Sequence, residues 1–277
     1  MRIYTLIENT KHANSGFISE HGLSLYFEHN GQRVLFDTGA SDAFIYNATL
    51  LGIDLIKVDI CVISHIHKDH TGGLNFFLDI NRRAKVYVKE AAKEEYYTRH
   101  GNKNVRSGID PQFFEKHTER LRFFKGDIKI ANGVYAASAE KFRRLPDYSA
   151  NMLVKKEGRL IADPLEHELF IVVEDKDGII VLTGCAHCGI LNILMTAEAN
   201  YGHICGAAGG FHLGGYSGSA GKARKEPNAE VTAIAKFLTE RNIRKVYTGH
   251  CTGDKAFEKL SLHARVKRMR TGDILEF

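Results

Sequence analysis

The segment SHIHKDHTGG, residues 64–73, constrains this chain more than any other stretch. It holds three imidazoles and one carboxylate within a few positions, namely His65, His67, Asp69 and His70. Nitrogen and oxygen donors of this kind suit a divalent ion such as zinc. His65 and His67 project to the same side of an extended backbone, whereas Asp69 and His70 lie on the turn that follows. The spacing therefore favours two adjacent metal ions, each completed by ligands from later in the chain.

An apolar and β-branched run, VDICVI at residues 58–63, precedes these histidines and predicts a buried strand. A helix is expected over residues 70–78. The sequence VISHIHKDHTGG, residues 62–73, resembles the HxHxDH signature of the metallo-β-lactamase superfamily, which follows a strand and opens a helix. The resemblance implies a mixed α/β fold, a four-layer αββα sandwich in which two sheets face each other with helices outside. One domain would span residues 1–277.

Composition narrows the class of protein. The chain has 277 residues, of which 44% are apolar, and this is enough for one large domain with a substantial core. It contains no apolar run long enough to predict a membrane span. The opening MRIYTLIEN reads as a strand rather than a signal peptide, and five cysteines fit reduced thiols better than a disulfide framework, so the cytoplasm is the expected compartment. The net charge of +5 is spread along the chain, which suggests an anionic partner but does not indicate nucleic-acid binding.

Local patterns predict two strand-rich blocks, each followed by helices. Asn30-Gly31 lies between two apolar runs and predicts a hairpin, and residues 169–173 and 178–182 flank a second polar turn. Helices are expected over residues 42–51, 90–97, 190–200, 229–241 and 254–262. The resemblance implies that the two blocks are similar halves of one fold, although the sequence shows no clear internal repeat.

Three further positions complete the predicted metal centre. His187 follows the strand at residues 179–182 and His250 follows the strand at residues 245–247, so both lie at strand ends, as the first histidines do. The resemblance places Asp37, in the motif FDTG, beneath the metal site, where it holds a ligand imidazole or the histidine loop. Each ion is assigned three ligands: His65, His67 and His187 for the first ion, and Asp69, His70 and His250 for the second.

The remaining ligand position is open. Most members of the superfamily bridge the two ions with an Asp, but this chain has no Asp between Asp177 and Asp254. His212, in the motif GGFHL, takes the equivalent place in the order of motifs, and it either binds one ion or contacts the substrate. The segment CAHC at residues 185–188 leaves alternatives open: a redox pair, a structural zinc knuckle, or a Cys188 thiol that perturbs the first ion.

Two segments are expected as insertions near the mouth of the site. Residues 99–127 combine many charges with four phenylalanines, and residues 214–227 are rich in Gly and Ser and then basic. Lys222 and Arg224 in the second segment, and Lys68 beside the metal ligands, are candidate contacts for an anionic substrate. Solvated surface loops, and a Lys68 side chain that points outward, are the alternatives.

Three more motifs, TGCAH, GGFHL and TGHCTG, resemble a narrower branch of the superfamily, metal-dependent hydrolases similar to the archaeal dihydropterin–ribofuranosylaminobenzene 5′-phosphate synthase. This resemblance implies two divalent ions, zinc first, with iron or manganese as alternatives. The ions would activate a shared hydroxide for attack on a phosphodiester or ester of a small anionic molecule. Asp69 and His212 are the expected catalytic side chains.

Other functions stay open. In the synthase reading, an arylamine attacks carbon and the enzyme is a transferase. A redox protein or a nuclease of the same fold is disfavoured, because the chain has no flavin domain and none of the further motifs of such nucleases. A binding protein with a structural zinc is disfavoured because structural sites are usually closed by cysteine-rich tetrads. Either a monomer or a homo-oligomer is compatible with the sequence.

Overall fold

The structure is a computed structural model that describes residues 1–143, 147–214 and 228–277. In chain order the strands are β1 Arg2–Ile7, β2 Ser24–His29, β3 Gln32–Phe36, β4 Ile60–Val62, β5 Lys85–Lys89, β6 Glu95–His100, β7 Lys103–Arg106, β8 Leu121–Phe124, β9 Ile128–Ala131, β10 Val134–Ala137, β11 Met152–Lys156, β12 Arg159–Ala162, β13 Phe170–Asp175, β14 Gly178–Thr183, β15 Ile204–Gly210, β16 Lys245–Gly249, β17 Val266–Arg268 and β18 Ile274–Glu276.

Seven helices accompany these strands in the described ranges, and no helix there is both long and apolar enough to cross a membrane. The helices are α1 Ala43–Leu50, α2 Lys68–Thr71, α3 Leu74–Ile80, α4 Pro111–Lys116, α5 Ile190–Tyr201, α6 Asn228–Glu240 and α7 Asp254–His263.

Two seven-stranded sheets form the centre of the molecule, in the orders β18-β1-β2-β3-β4-β5-β8 and β17-β16-β15-β14-β13-β10-β9. Side chains alternate between the two faces of each strand, as β13 illustrates. Ile171 and Val173 pack between the sheets, whereas Phe170 and Val172 pack under the outer helices. The apolar runs of β13 and β14 reflect burial of both faces of these strands.

Helices cover the outer face of each sheet. Phe44 of α1 and Phe77 of α3 pack on the first sheet, and side chains of α5, α6 and α7 pack on the second. The predicted four-layer αββα sandwich is therefore confirmed. Both predicted hairpins are present, since β2 pairs with β3 across Asn30-Gly31 and β13 pairs with β14.

The hydrogen-bond pattern shows the internal similarity that the sequence hides. From β18 to β8, the first sheet has three antiparallel pairs followed by three parallel pairs. From β9 to β17, the second sheet repeats the same order of antiparallel and parallel pairs. The two halves share backbone topology without sharing side chains, and this explains why no repeat is visible in the sequence.

Two helix predictions need correction. Residues 90–97 are not a helix, because a short 3₁₀ turn at Glu90–Lys93 leads into β6, which pairs with β11 in a small sheet of order β12-β11-β6-β7. The aromatic sequence of β6 suits a pleated, half-buried surface. The helix expected over residues 70–78 is split into α2 and α3 at Gly72-Gly73. A Cβ at Gly72 would lie 2.1 Å from the carbonyl oxygen of Ala40, so the chain passes too close for any larger residue.

The two segments expected as insertions differ in how far they are described. Residues 99–127 supply β7, α4 and also β8, which pairs with β5 at the edge of the first sheet. The turn after β7 reaches the site, where Gly108 pairs with His67 and the backbone N–H of Lys68 donates to the carbonyl of Ser107. Residues 214–227 lie outside the described residues, apart from Gly214.

Candidate metal centre

The candidate centre lies where the carboxyl ends of five strands meet. In parallel sheets these ends gather at one edge, where ligands commonly bind. β3 and β4 of the first sheet lead into Asp37 and His65, and β14, β15 and β16 of the second sheet lead into His187, His212 and His250. The two sheets thus contribute to one site from opposite sides.

The first donor group consists of three imidazole nitrogens. The Nε2 atom of His187 lies 3.2 Å from Nε2 of His65 and 3.1 Å from Nδ1 of His67. Burial lowers the pKa of His67 to about 3 and holds the pKa of His65 and His187 well below the usual range, so all three rings are neutral. Three neutral imidazole nitrogens that converge in this way can each direct a lone pair at one divalent cation.

The second donor group lies beside the first and carries negative charge. The Nε2 atoms of His70 and His250 are 3.1 Å apart, and Oδ2 of Asp69 is 3.5 Å from the former and 3.3 Å from the latter. The rings of His65 and His70, one from each group, have centroids 4.2 Å apart. Two adjacent donor groups, each with three side chains, are the arrangement that the spacing of the sequence favours.

Hydrogen bonds behind the rings set which nitrogen faces the centre. His70 donates from Nδ1 to Asp37 at 2.6 Å, and Nδ1 of His65 lies 2.8 Å from the hydroxyl of Ser64, which in turn donates to Asp37. Nδ1 of His250 lies 2.9 Å from Oδ1 of Asn9. With the proton on Nδ1, each of these rings presents the lone pair of Nε2 to the centre.

Protonation of His70 offsets the negative charge of the carboxylates around it. Burial opposes a charge on His70, but the carboxylates of Asp69 and Asp37 outweigh it and raise the pKa of this ring to about 10. A cation bound between these residues would take the place of that proton.

Two buried carboxylates fix the loops that carry the histidines. Asp37 is fully buried and also accepts the backbone N–H of Ser64 at 2.7 Å. On the other sheet, Glu168 accepts the backbone N–H groups of His187 at 2.6 Å and of Cys188 at 2.7 Å. Each half of the molecule therefore uses one carboxylate to hold its ligand loop.

The backbone at the site is held in an uncommon conformation. Four site residues other than glycine have left-handed backbone angles: Asp37 with φ 60°, Ala186 with φ 62°, His212 with φ 47° and His250 with φ 47°. Each costs roughly 1–3 kcal/mol and persists only where the surroundings enforce it. Concentration of such residues at strand ends that carry imidazoles is typical of a functional site.

Of the three basic side chains predicted to contact the substrate, the structure describes Lys68. Lys68 is exposed at the start of α2, whereas Lys222 and Arg224 lie outside the described residues. His212 stands beside the first donor group: its ring centroid is 4.3 Å from that of His187. A ring nitrogen of His212 also lies within 4.8 Å of the sulfurs of Cys185 and Cys251.

Of the two thiols in CAHC, the structure brings that of Cys185 to the donor groups. Cys188 packs against Met152 and Leu165 and lines a cavity of about 700 Å³, none of whose described lining residues belongs to either donor group. Cys185, two positions before His187, has its sulfur 3.2 Å from Nε2 of His70. The two thiols point to different surroundings, which disfavours a redox pair between them. The spacing Cys-Ala-His, which parallels His-Ile-His at residues 65–67, was the signal available for Cys185.

His21 and Glu168 were also missed. His21 Nε2 lies 3.3 Å from Oδ2 of Asp69, and its ring stacks on that of His250 with centroids 5.1 Å apart. Burial lowers the pKa of His21, which disfavours a positive charge on this ring at the rim of the second group. Neither residue belongs to a recognisable motif, so only the fold reveals its position.

The αββα sandwich with paired histidine-rich donor groups at its strand ends defines a class of proteins whose fold implies divalent metal binding. The model of the metallo-beta-lactamase superfamily matches residues 20–250. The chain belongs to this superfamily, whose members include many enzymes.

Individual relatives agree with this assignment. The chain is 28% identical to 7,8-dihydropterin-6-methyl-4-(beta-D-ribofuranosyl)-aminobenzene-5′-phosphate synthase of Methanocaldococcus jannaschii, over 100% of this chain and 97% of that protein. The crystal structure of Tm1679, described as a metal-dependent hydrolase of the beta-lactamase superfamily, superposes with a TM-score of 0.82 at 29% identity and covers 100% of this chain and 99% of Tm1679. Zinc-bound PqqB from Methylobacterium extorquens shares the fold, with a TM-score of 0.60 at 10% identity and full coverage of both chains.

Proposed function

We propose that this protein is a metal-dependent hydrolase whose two-ion centre acts on a small, anionic, phosphorylated ester. The observation that carries the proposal is the pair of adjacent donor groups. His65, His67 and His187 would hold one ion, and Asp69, His70 and His250 the other. Zinc is the first choice for this donor set. The five free thiols suit a reducing compartment, so we place the enzyme in the cytoplasm.

When bound, two divalent ions would lower the pKa of a shared water and polarise the oxygen of the substrate. The residues of the chain supply the rest. Asp69 has partial access to solvent, since its side chain is 20% exposed, and its second carboxylate oxygen would accept a proton from the attacking water. Lys68 at the exposed start of α2 and the basic segment with Lys222 and Arg224 would attract the anion.

A second candidate, a synthase that transfers an arylamine onto carbon, is favoured by the full-length similarity to the Methanocaldococcus jannaschii enzyme. In this reaction the ion centre would bind the phosphate or the pterin. The amine nitrogen would form a bond to the pterin carbon while the bond between that carbon and its leaving group breaks, and no water would be consumed. The two candidates share the metal ligands and differ in what attacks the bound substrate.

Metal content and product analysis test the proposal together. Mass spectrometry of the purified protein should find about two equivalents of metal per chain, and substitution of His187→Ala should remove at least one. His203→Ala is the matched control and should retain both ions, because this exposed histidine precedes β15, at the opposite end of the strand from the donor groups. Metal that is unaffected by His187→Ala would overturn the ligand assignment.

The loaded enzyme then separates the two reactions. Hydrolysis of model phosphodiesters, lost in His187→Ala, supports the hydrolase. The second assay supplies a ribofuranosylaminobenzene phosphate and a dihydropterin that carries a leaving group on the reacting carbon. Formation of the carbon–arylamine adduct with release of that group, without hydrolysis of the diesters, would overturn the hydrolase and establish the transferase.

A further inference from the structure

The thiol of Cys185 occupies the junction of the two donor groups. Its sulfur lies 3.2 Å from Nε2 of His70 and 3.2 Å from Nε2 of His250, within the second group. It also lies within 4.8 Å of the donor nitrogens of His65 and His187, in the first group. Among the potential ligands in the described ranges, Cys185 alone belongs to both groups.

The backbone holds this thiol in place and keeps it from water. Cys185 is 3% exposed. The preceding Gly184 packs against Ser64, where an added Cβ would lie 2.1 Å from the hydroxyl oxygen, and its carbonyl accepts the N–H of Gly210 at 2.9 Å. The following Ala186 has a left-handed backbone conformation. A buried thiol in so constrained a turn keeps one position relative to the imidazoles around it.

We infer that Cys185 is a thiolate ligand shared by the two metal ions, in place of the carboxylate that this chain lacks. The inference rests on the two-ion centre of the proposed function. No Asp is present between Asp177 and Asp254, so the second sheet cannot supply a bridging Asp at the end of β14 or β15. A thiolate carries one negative charge and several lone pairs, so it can contact two cations at once.

Metal binding would convert the thiol of Cys185 to a thiolate. The S–H bond of Cys185 breaks, the proton passes to solvent, and the sulfur electron pairs form bonds to the ions. Soft sulfur favours zinc over manganese or magnesium. A shared thiolate therefore gives this centre a preference for zinc that a carboxylate bridge would not.

X-ray absorption at the zinc edge of the zinc-loaded wild-type protein is the decisive measurement, since it needs no variant. A shared thiolate places a sulfur neighbour at about 2.3 Å from each ion, so the average is one sulfur per zinc. Half a sulfur per zinc would mean a ligand to one ion only and would overturn the bridge. A shell of nitrogen and oxygen alone would overturn any role for Cys185, while two bound ions would still support the centre itself.

Cobalt substitution identifies which cysteine is responsible. The cobalt-loaded wild-type protein should show an intense thiolate-to-metal band in the near ultraviolet, and Cys185→Ser should abolish it while the weaker visible bands from histidine ligation remain. Cys188→Ser and Cys251→Ser are matched controls that should keep the band. Loss of the band in Cys251→Ser but not in Cys185→Ser would contradict the inference. Absence of all cobalt bands in the wild-type protein would overturn the centre and the inference together.

Discussion

Substitution of Asp37→Asn tests whether the buried carboxylate positions the second donor group. Asp37 accepts three hydrogen bonds, from the N–H and hydroxyl of Ser64 at 2.7 and 2.6 Å and from Nδ1 of His70 at 2.6 Å. Asn conserves the volume and tolerates the left-handed backbone at this position. Its amide has one acceptor oxygen, so in either orientation its NH₂ group faces a buried donor. A buried donor without an acceptor costs about 1–3 kcal/mol.

This cost should appear in metal affinity, because His70 is oriented by the lost bond. A tenfold change in affinity corresponds to about 1.4 kcal/mol, so we expect zinc affinity of the second group to fall by about 10–100-fold. Competition against a chromophoric chelator measures this, with Asp79→Asn as control because Asp79 is exposed on α3. Equal zinc affinity of Asp37→Asn and the wild-type protein would refute the role given to Asp37.

Three further predictions concern the loops and the metal itself. Glu168→Gln keeps the volume but leaves one of two backbone N–H groups in the His187 loop without an acceptor, so the free energy of unfolding should fall by about 1–3 kcal/mol; an unchanged thermal midpoint would contradict this. Gly184→Ala places a Cβ 2.1 Å from the hydroxyl of Ser64. This overpacking should lower the free energy of unfolding by about 1–3 kcal/mol and also lower the metal content. Gly158→Ala is the control, because a Cβ at Gly158 would contact no neighbouring atom. Its φ of +76° should cost roughly 1–2 kcal/mol of backbone strain, and the metal content should stay full. Removal of zinc by a chelator should lower the thermal midpoint of unfolding, because each ion at a thousandfold excess over its Kd adds about 4 kcal/mol to the free energy of unfolding. An unshifted midpoint would argue against metal binding at this centre.

Most of the fold could be predicted from local patterns. Asn30-Gly31 identifies its hairpin because that dipeptide adopts the turn at little cost, and the apolar runs of β13 and β14 identify buried strands. The helix prediction at residues 90–97 failed because pairing of β6 with β11 outweighed local propensity. The repeated order of antiparallel and parallel pairs was also hidden, since it is a property of backbone pairing and not of side chains.

The sequence by itself determined the donor types and their order along the chain. His65, His67, Asp69 and His70 are neighbours in the sequence, so their proximity follows from chain geometry. The ends of their strands also allowed His187 and His250 to be predicted as partners, whereas only the tertiary structure revealed Cys185 and His21. Cys185 and His21 reach the centre only because two sheets pack face to face and the carboxyl ends of their strands meet at one edge. His21 lies outside any motif and carries no signal in the sequence. The Cys-Ala-His spacing gives Cys185 a signal, but it does not show which residues the thiol contacts, because those neighbours are brought together only by folding.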